Sequence, residues 1–226
     1  MESGSLGLVA FWSDISPSYI ERYREWHNTE HIPERVGIPG FNAGHRYVRV
    51  HDAGRNFFMY YDVASPEVLK SADYLDALDK PTPWTSEALQ YFRNPLRNLY
   101  RKMEEKGIEP KSASKFLLCA RFDCAEDVTT AVCATMLTRL ATDGAYRVRL
   151  FELDAAATQI KTREREIYGT QLEAQRYLVL VEKSAEDNRA LLEASAAQLG
   201  DAGSENLEIE LYRLEFGLRA SPQKDA

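Results

Sequence analysis

The chain has 226 residues, room for one large domain or two small ones with a proper hydrophobic core, and its composition is that of an ordinary globular protein. A formal net charge of −7 argues against a nucleic-acid binder, which carries a basic patch. No apolar run approaches the roughly 20 residues that span a bilayer, and Met1-Glu2-Ser3-Gly4-Ser5 lacks the basic and apolar regions of a signal peptide, so a cytoplasmic protein with no membrane partner is expected.

Residues 6–12 are a short apolar run between Gly4 and Asp14 and read as a buried strand. Ser16-Pro17 then opens a helix, with Ser as N-cap and Pro at the first helical position. Pro33 should close that helix within a turn, and Gly37 and Pro39-Gly40 carry the chain out. At about 100° per residue, Tyr19, Ile20, Tyr23, Trp26, His27, Glu30 and His31 share a face roughly 140° wide. Glu21, Arg22, Glu25, Asn28 and Thr29 take the other side. The buried face therefore carries two imidazoles and a carboxylate at its C-terminal end. A histidine there can simply cap helix carbonyls. Two of them four apart on an aromatic face, with Glu30 between, point instead to a site.

Residues 41–51 alternate, with Phe41, Ala43, His45, Tyr47, Arg49 and His51 on one face and Asn42, Gly44, Arg46, Val48 and Val50 on the other. A turn over residues 52–56 and a strand over 57–63 complete a hairpin. Ser65-Pro66-Glu67 starts a second helix, interrupted by Pro81 and Pro83 and resumed over 84–92. Residues 96–100 form a last strand before a linker-like stretch over 103–114. The same order then returns: a strand at 116–122, a helix at 127–140, strands at 146–153 and 176–182, a helix at 185–199 and a strand at 207–216. Residues 155–175 read as a long hairpin excursion or a short helix. Cys119, Cys124 and Cys133 lack any paired short spacing and read as ordinary core or surface residues.

A strand–helix order repeated at an offset of roughly 110 residues is an architectural duplication. The expected fold is α+β: two ferredoxin-like βαββαβ repeats whose bare sheet faces pack against each other within one chain. The boundaries are 1–105 for the first repeat, 106–114 for the linker and 115–226 for the second. Higher oligomers are compatible with this arrangement. All four histidines and all three tryptophans fall in the first repeat, so that half reads as chemical and the second as structural.

The run Trp26-His27-Asn28-x-Glu30-His31-x-Pro33-Glu34-Arg35, followed by Pro39-Gly40-Phe41 and Arg46-Tyr47, resembles the EthD-like branch of the dimeric α/β-barrel superfamily. Pro81-Thr82-Pro83-Trp84-Thr85 with Phe92-Arg93-Asn94 is similar to the same branch. The likeness covers about residues 5–101 at motif level and the second half only as topology. It implies a tandem barrel with a pocket in the first repeat. The superfamily includes cofactor-free monooxygenases, polyketide cyclases, lactone isomerases and haem-dependent enzymes, and a fold so widely reused does not fix a reaction. Some EthD-like proteins are linked to breakdown of aromatic and indole-derived compounds, including cofactor-free ring-opening oxygenation.

Four chemistries suit these residues. The first is cofactor-free acid–base catalysis on a small aromatic or heteroaromatic substrate, with a neutral imidazole of His27 or His31 as general base and Glu30 fixing its tautomer. His45 would reach the same pocket from the sheet. The enolate formed would react with oxygen, or alternatively lose carbon dioxide, cyclise or isomerise. Tyr23, Trp12, Trp26 and Trp84 would wall a flat substrate, and Arg35 and Arg46 would hold an anionic oxygen. Trp12 also reads plainly as core, and Arg46 as a surface ion pair. His27 is narrowly the first choice of base, because Pro33 leaves the geometry of the last turn open. The second chemistry is zinc hydrolysis, since His27-Asn28-Thr29-Glu30-His31 matches the inverted zincin pattern H-x-x-E-H. Three fixed positions arise easily by chance, and a ferredoxin-like repeat does not resemble a zincin. The third is haem binding through one histidine, and the fourth a non-catalytic carrier of a small aromatic. The first is adopted, with oxygenation ahead of lyase or cyclase chemistry. No third convincing metal ligand and no nucleotide-binding glycine pattern is present, so neither metal nor cofactor is expected.

Overall fold

Alternation of apolar residues sets the two faces of the first sheet. In β1 (Gly7–Ile15), Leu8, Ala10 and Trp12 pack with Phe58 and Tyr60 on one side, while Val9 packs with Tyr61 and Val63 on the other. β2 (Phe41–Arg49), β3 (Phe57–Val63) and β4 (Phe92–Gly107) follow the same rule. In this computed structural model, residues 6–50, 54–108, 113–124, 138, 147–169, 175–183, 188–201 and 203–221 are described. His51, Cys133 and, apart from Thr138, the helix expected over 127–140 lie outside them.

The second half repeats the design with β5 (Phe116–Cys124), β6 (Arg147–Leu153), β7 (Tyr177–Lys183) and β8 (Ser204–Arg219). The chain is an α+β protein of two βαββαβ-like halves, and all eight strands join in one closed antiparallel barrel, in the order β1-β3-β2-β8-β5-β7-β6-β4. Closure depends on the two longest strands, β4 and β8, each of 16 residues. β4 pairs with β1 through Phe92–Arg101 and then with β6 through Tyr100–Gly107. β8 pairs first with β5 and then, from Tyr212 to Arg219, with β2. Residues 103–107, expected as linker, are therefore strand, because their backbone groups are needed by β6. Each half lends its last strand to the other, and among the described residues no sheet edge is left open.

The barrel interior is packed by Trp12, Tyr47, Phe58, Tyr60, Tyr100, Phe151 and Tyr212 with aliphatic neighbours. Outside it, the first sheet is covered by α1 (Ile20–Trp26), α2 (Ile32–Val36), α3 (Ala72–Asp79) and α4 (Pro83–Leu89). The second half contributes two short helices, α5 (Ala155–Thr158) and α6 (Arg163–Tyr168), and the longer α7 (Asn188–Asp201). Among the described residues, the stretch over 155–175 thus holds two short helices. Among the described residues no helix is long and apolar enough to cross a membrane.

The first helical segment ends at Val36, within a turn of Pro33 and directly before Gly37, as expected. Its interior is what departs from expectation. Between α1 and α2, His27–His31 form a single π turn in which the Ile32 N–H reaches back five residues to the His27 carbonyl. Pro33, with no N–H to offer, sits in the first turn of α2, just after the ladder changes register, where a missing donor is tolerated. Ser16 makes no side-chain cap, and Pro17–Tyr19 is a 3-10 turn leading into α1. Likewise Pro66–Lys70 is a 3-10 turn, and α3 starts only where the Ser71 hydroxyl accepts from the Tyr74 N–H.

Candidate active site

The π turn places His27 and His31 between the first sheet and its covering helices. Their rings stack at 5.5 Å between centroids, Tyr23 stacks on the other side of His27 at 5.3 Å, and Trp26 lies 4.5 Å from His31. A cavity opens beside them. Trp26, His27, His31 and Arg35 line it from the helix, Phe11, Met59, Tyr61 and Arg97 from the sheet, and Tyr74 from α3. Glu164 and Tyr168 complete it from α6. The second half is thus not merely structural: one turn of α6 supplies a carboxylate and a phenol to a cavity in the first.

Four of the residues singled out in the sequence line this cavity together: Trp26, His27, His31 and Arg35. Two stand directly behind it. Tyr23 is buried under His27 and donates its hydroxyl to Met59 Sδ at 3.0 Å. Arg46 is no surface ion pair but a buried guanidinium whose Nη1 lies 3.3 Å from His27 Nδ1 and whose Nε binds Glu215 of β8 at 3.0 Å.

The other four are elsewhere. His45 shares the strand face of Tyr47, not that of Arg46, so its ring points into the barrel against Tyr60 at 4.7 Å and cannot reach the cavity. Trp12 is barrel core, stacked on Phe58 at 4.8 Å with the Arg121 guanidinium 4.6 Å from its ring. Trp84 packs outside the cavity lining, under Arg22 at 4.4 Å. Glu30 does not fix an imidazole tautomer. Its Oε1 accepts from the Thr82 and Thr85 hydroxyls at the start of α4, and Thr85 Oγ1 also accepts from Trp26 Nε1 at 3.2 Å. Glu30 therefore ties α4 to the π turn.

The tautomer is fixed from the opposite side. Arginine has donors only, so His27 Nδ1 must accept from Arg46, and the single proton of the neutral ring is assigned to Nε2. Burial, with the charges of Arg46 and Arg35, holds the His27 pKa well below its usual value. Burial, Arg35 and His27 do the same for His31. Both imidazoles are consequently neutral at neutral pH. Among the described residues His31 Nδ1 is buried and has no hydrogen-bond partner, and the same holds for Arg35 Nη1 and Tyr61 Oη, on two other residues of the cavity lining.

Arg35 is paired through Nη2 with Glu164, and Glu34 approaches its Nη1 at 3.5 Å. Burial raises the Glu164 pKa, against the pull of Arg35. Burial also keeps Tyr61 and Tyr168 as neutral phenols. Among the described residues, no three His, Cys, Asp or Glu side chains gather closely enough to hold a metal ion. A ligating imidazole normally donates its second N–H to an acceptor. His27 instead receives a donor there, and His31 has no partner at Nδ1 among the described residues. The site is better equipped to hold and move protons than to hold a metal.

Sequence reasoning missed Tyr61, Tyr74, Arg97, Glu164 and Tyr168. The alternation of β3 placed Met59 and Tyr61 on one face, and an arginine inside the apolar run 96–100 was a usable signal for Arg97. Glu164 sits in Arg163-Glu164-Arg165-Glu166, which reads as a solvated charge run.

No family model matches the chain, and no curated protein matches it in sequence. Solved structures match it in shape over nearly its whole length. An anthrone oxidase-like protein aligns with a TM-score of 0.64 at 10% identity, covering 100% of this chain and 97% of its own. A candidate monooxygenase from Fusobacterium nucleatum aligns at 0.58 and 9% identity, covering 97% and 96%. A haem-binding protein from Thermus thermophilus aligns at 0.51 and 8% identity, covering 94% and 92%. Identities this low carry the fold alone: a dimeric α/β barrel built in tandem within one chain.

Proposed function

We propose that the chain is a cofactor-independent enzyme that deprotonates a small, flat, oxygen-bearing aromatic and passes the resulting enolate to molecular oxygen. The observation that carries this reading is the unequal pair of neutral imidazoles on one cavity wall. His27, with Nδ1 engaged by Arg46, offers only an Nε2–H and suits a donor to a developing oxyanion. His31 has an unengaged Nδ1 and is the better base. That reverses the narrow preference for His27 drawn from the sequence. The Arg35 guanidinium beside His31 depresses its basicity in the resting site but favours the anion once the proton has moved. Trp26, Phe11 and Tyr61 suit a planar ring.

The EthD-like motif in residues 26–47 and the monooxygenase and oxidase descriptions of the structural neighbours support oxygenation over lyase or cyclase chemistry. Haem, bound by one neighbour, fits these residues poorly. An axial imidazole needs a ring nitrogen free of its proton and an acceptor for the other. At His27 the free nitrogen is already held by a guanidinium, and the ion pair of Arg35 with Glu164 lies in the cavity wall.

Anthrone is a suitable first probe: with one O₂ it gives anthraquinone and one water. Oxygen uptake above the uncatalysed rate is expected for wild type. His31→Gln should lower it about 10²- to 10⁴-fold, and His27→Ala about 10²- to 10³-fold, with thermal midpoints little changed. Full rates in both variants would show that the histidines are structural and overturn the proposal. Catalysed hydrogen–deuterium exchange at C10 of anthrone with no oxygen uptake above the uncatalysed rate would overturn the oxygenase assignment in favour of non-oxidative chemistry on the enolate.

A further inference from the structure

Six arginines are buried among the described residues, and five of them meet a carboxylate. Arg35 pairs with Glu164, Arg46 with Glu215, Arg121 with Glu208 and Glu210, Arg147 with Glu105, and Arg149 with Asp62 and Glu182. Arg97 is the exception. It is 7% exposed and lines the cavity, yet no carboxylate lies within 4 Å of it among the described residues. Its one hydrogen bond runs from Nη2 to Tyr74 Oη at 2.8 Å. A guanidinium carries five N–H donors, and a buried charge without a counter-charge is costly, so an unpaired one in a cavity wall calls for an anionic occupant.

The surrounding charges agree. The ionisable groups lining the cavity are Arg35, Arg97, Glu164, the two neutral imidazoles and three phenols. Glu164 makes its contact with Arg35 and acts on Arg97 only at longer range, while Glu34 lies 3.5 Å from Arg35 Nη1, outside the cavity lining. Among the lining residues two guanidiniums therefore face one carboxylate, and the carboxylate contacts go to Arg35 and leave Arg97 without one within 4 Å among the described residues. Arg35 Nη1, 3.5 Å from Glu34, adds a buried donor with no hydrogen-bond partner among the described residues.

We infer that the ligand of this cavity is a flat monoanion, an aromatic carboxylate, whose carboxylate is seated on Arg97. The planar guanidinium fork matches a carboxylate in two parallel hydrogen bonds, and Tyr74 Oη, which accepts from Nη2, holds the fork in place. The inference shares with the proposed function the assumption that this cavity binds substrate, but it requires no turnover. Arg97 would be a specificity-determining residue: the ring would reach from the carboxylate seat towards the imidazoles, and the charge would orient it before any proton moves.

Equilibrium binding tests this directly, read by quenching of tryptophan fluorescence, since Trp26 lines the cavity. The probes are 2-naphthoate and its uncharged isostere 2-naphthamide. Wild type should bind the carboxylate at least about 10-fold more tightly than the amide, as expected for a charge-assisted hydrogen-bonded pair. Arg97→Gln should abolish that preference, and Arg97→Lys should restore part of it. Arg97→Gln should melt no lower than wild type, because it removes an unpaired buried charge. Equal affinity of the two probes for wild type would overturn the inference without recourse to any variant, as would a preference that survives Arg97→Gln. Carboxylate-selective binding together with wild-type oxygen uptake in both histidine variants would leave this inference standing and remove the catalytic one. Anthrone turnover by a protein that ignores the charge of the naphthyl pair would do the reverse.

Discussion

His45 offers a clean test of how the barrel handles a buried imidazole away from the candidate site. Burial, partly opposed by Asp62 and reinforced by Arg149 and Arg219, pushes its pKa down to about 4. In the unfolded chain the same ring titrates near 6.5 (about the model-peptide value). Between those values the unfolded chain binds a proton that the folded protein excludes, so stability is lost as pH falls through the window from about 6.5 to 4. Going from pH 7 to pH 5, one such ring costs about 2 kcal/mol at about 1.4 kcal/mol per unit of pH. That is a large share of a typical stability of about 5–15 kcal/mol. The assay is urea unfolding of wild type and His45→Gln at pH 7, 6 and 5. Comparing the two slopes removes the contributions of His27, His31 and the carboxylates, which both proteins share. Wild type should lose about 2 kcal/mol more than the variant between pH 7 and 5. Parallel pH profiles would refute the burial argument for His45. Because the ring points into the barrel, 2-naphthoate affinity at pH 7 should be the same in both proteins.

Three further outcomes follow from the packing. Glu164→Ala leaves Arg35 buried without its main partner and should cost about 3–5 kcal/mol in thermal or urea unfolding, although the residue lies in the other half of the chain. Glu30→Gln weakens the two hydroxyl bonds that tie α4 to the π turn, so it should lower stability by about 1 kcal/mol while leaving oxygen uptake on anthrone near the wild-type rate. Gly44→Ala would bring a Cβ within 2.8 Å of the Tyr61 ring and 3.1 Å of Ile32, so overpacking of about 1–3 kcal/mol is expected, with probe binding weakened through the displaced tyrosine.

The fold was legible because each half writes its strands and helices in local periodicity, and the same order appears twice. The closure was not, because the second pairing of β4 and β8 is a contact between halves, and residues 103–107 carry no strong strand pattern of their own. At the candidate site, one helical face grouped Trp26, His27 and His31, which line the cavity together, with Glu30, which turns instead to Thr82 and Thr85; angular position along a helix is a local property, and the partner of each side chain is not. Strand alternation placed His45 and Arg46 on opposite faces, but only tertiary packing decides which face the helices cover. It is the face of Arg46. The π turn escaped notice because helical periodicity over so few residues does not reveal a single wider turn. Glu164 and Tyr168 escaped it because their short helix gains meaning only from what it leans against.

The most direct test of the central claim needs no substrate. Nitrogen NMR of the side-chain imidazoles at pH 7, assigned through His27→Gln and His31→Gln, reads protonation and tautomer ring by ring. His27 should be neutral with its proton on Nε2 and an accepting Nδ1, should lose that bias in Arg46→Met, and His31 should be neutral beside it. A doubly protonated His27 at pH 7, or one carrying its proton on Nδ1, would contradict the division of roles between the two rings.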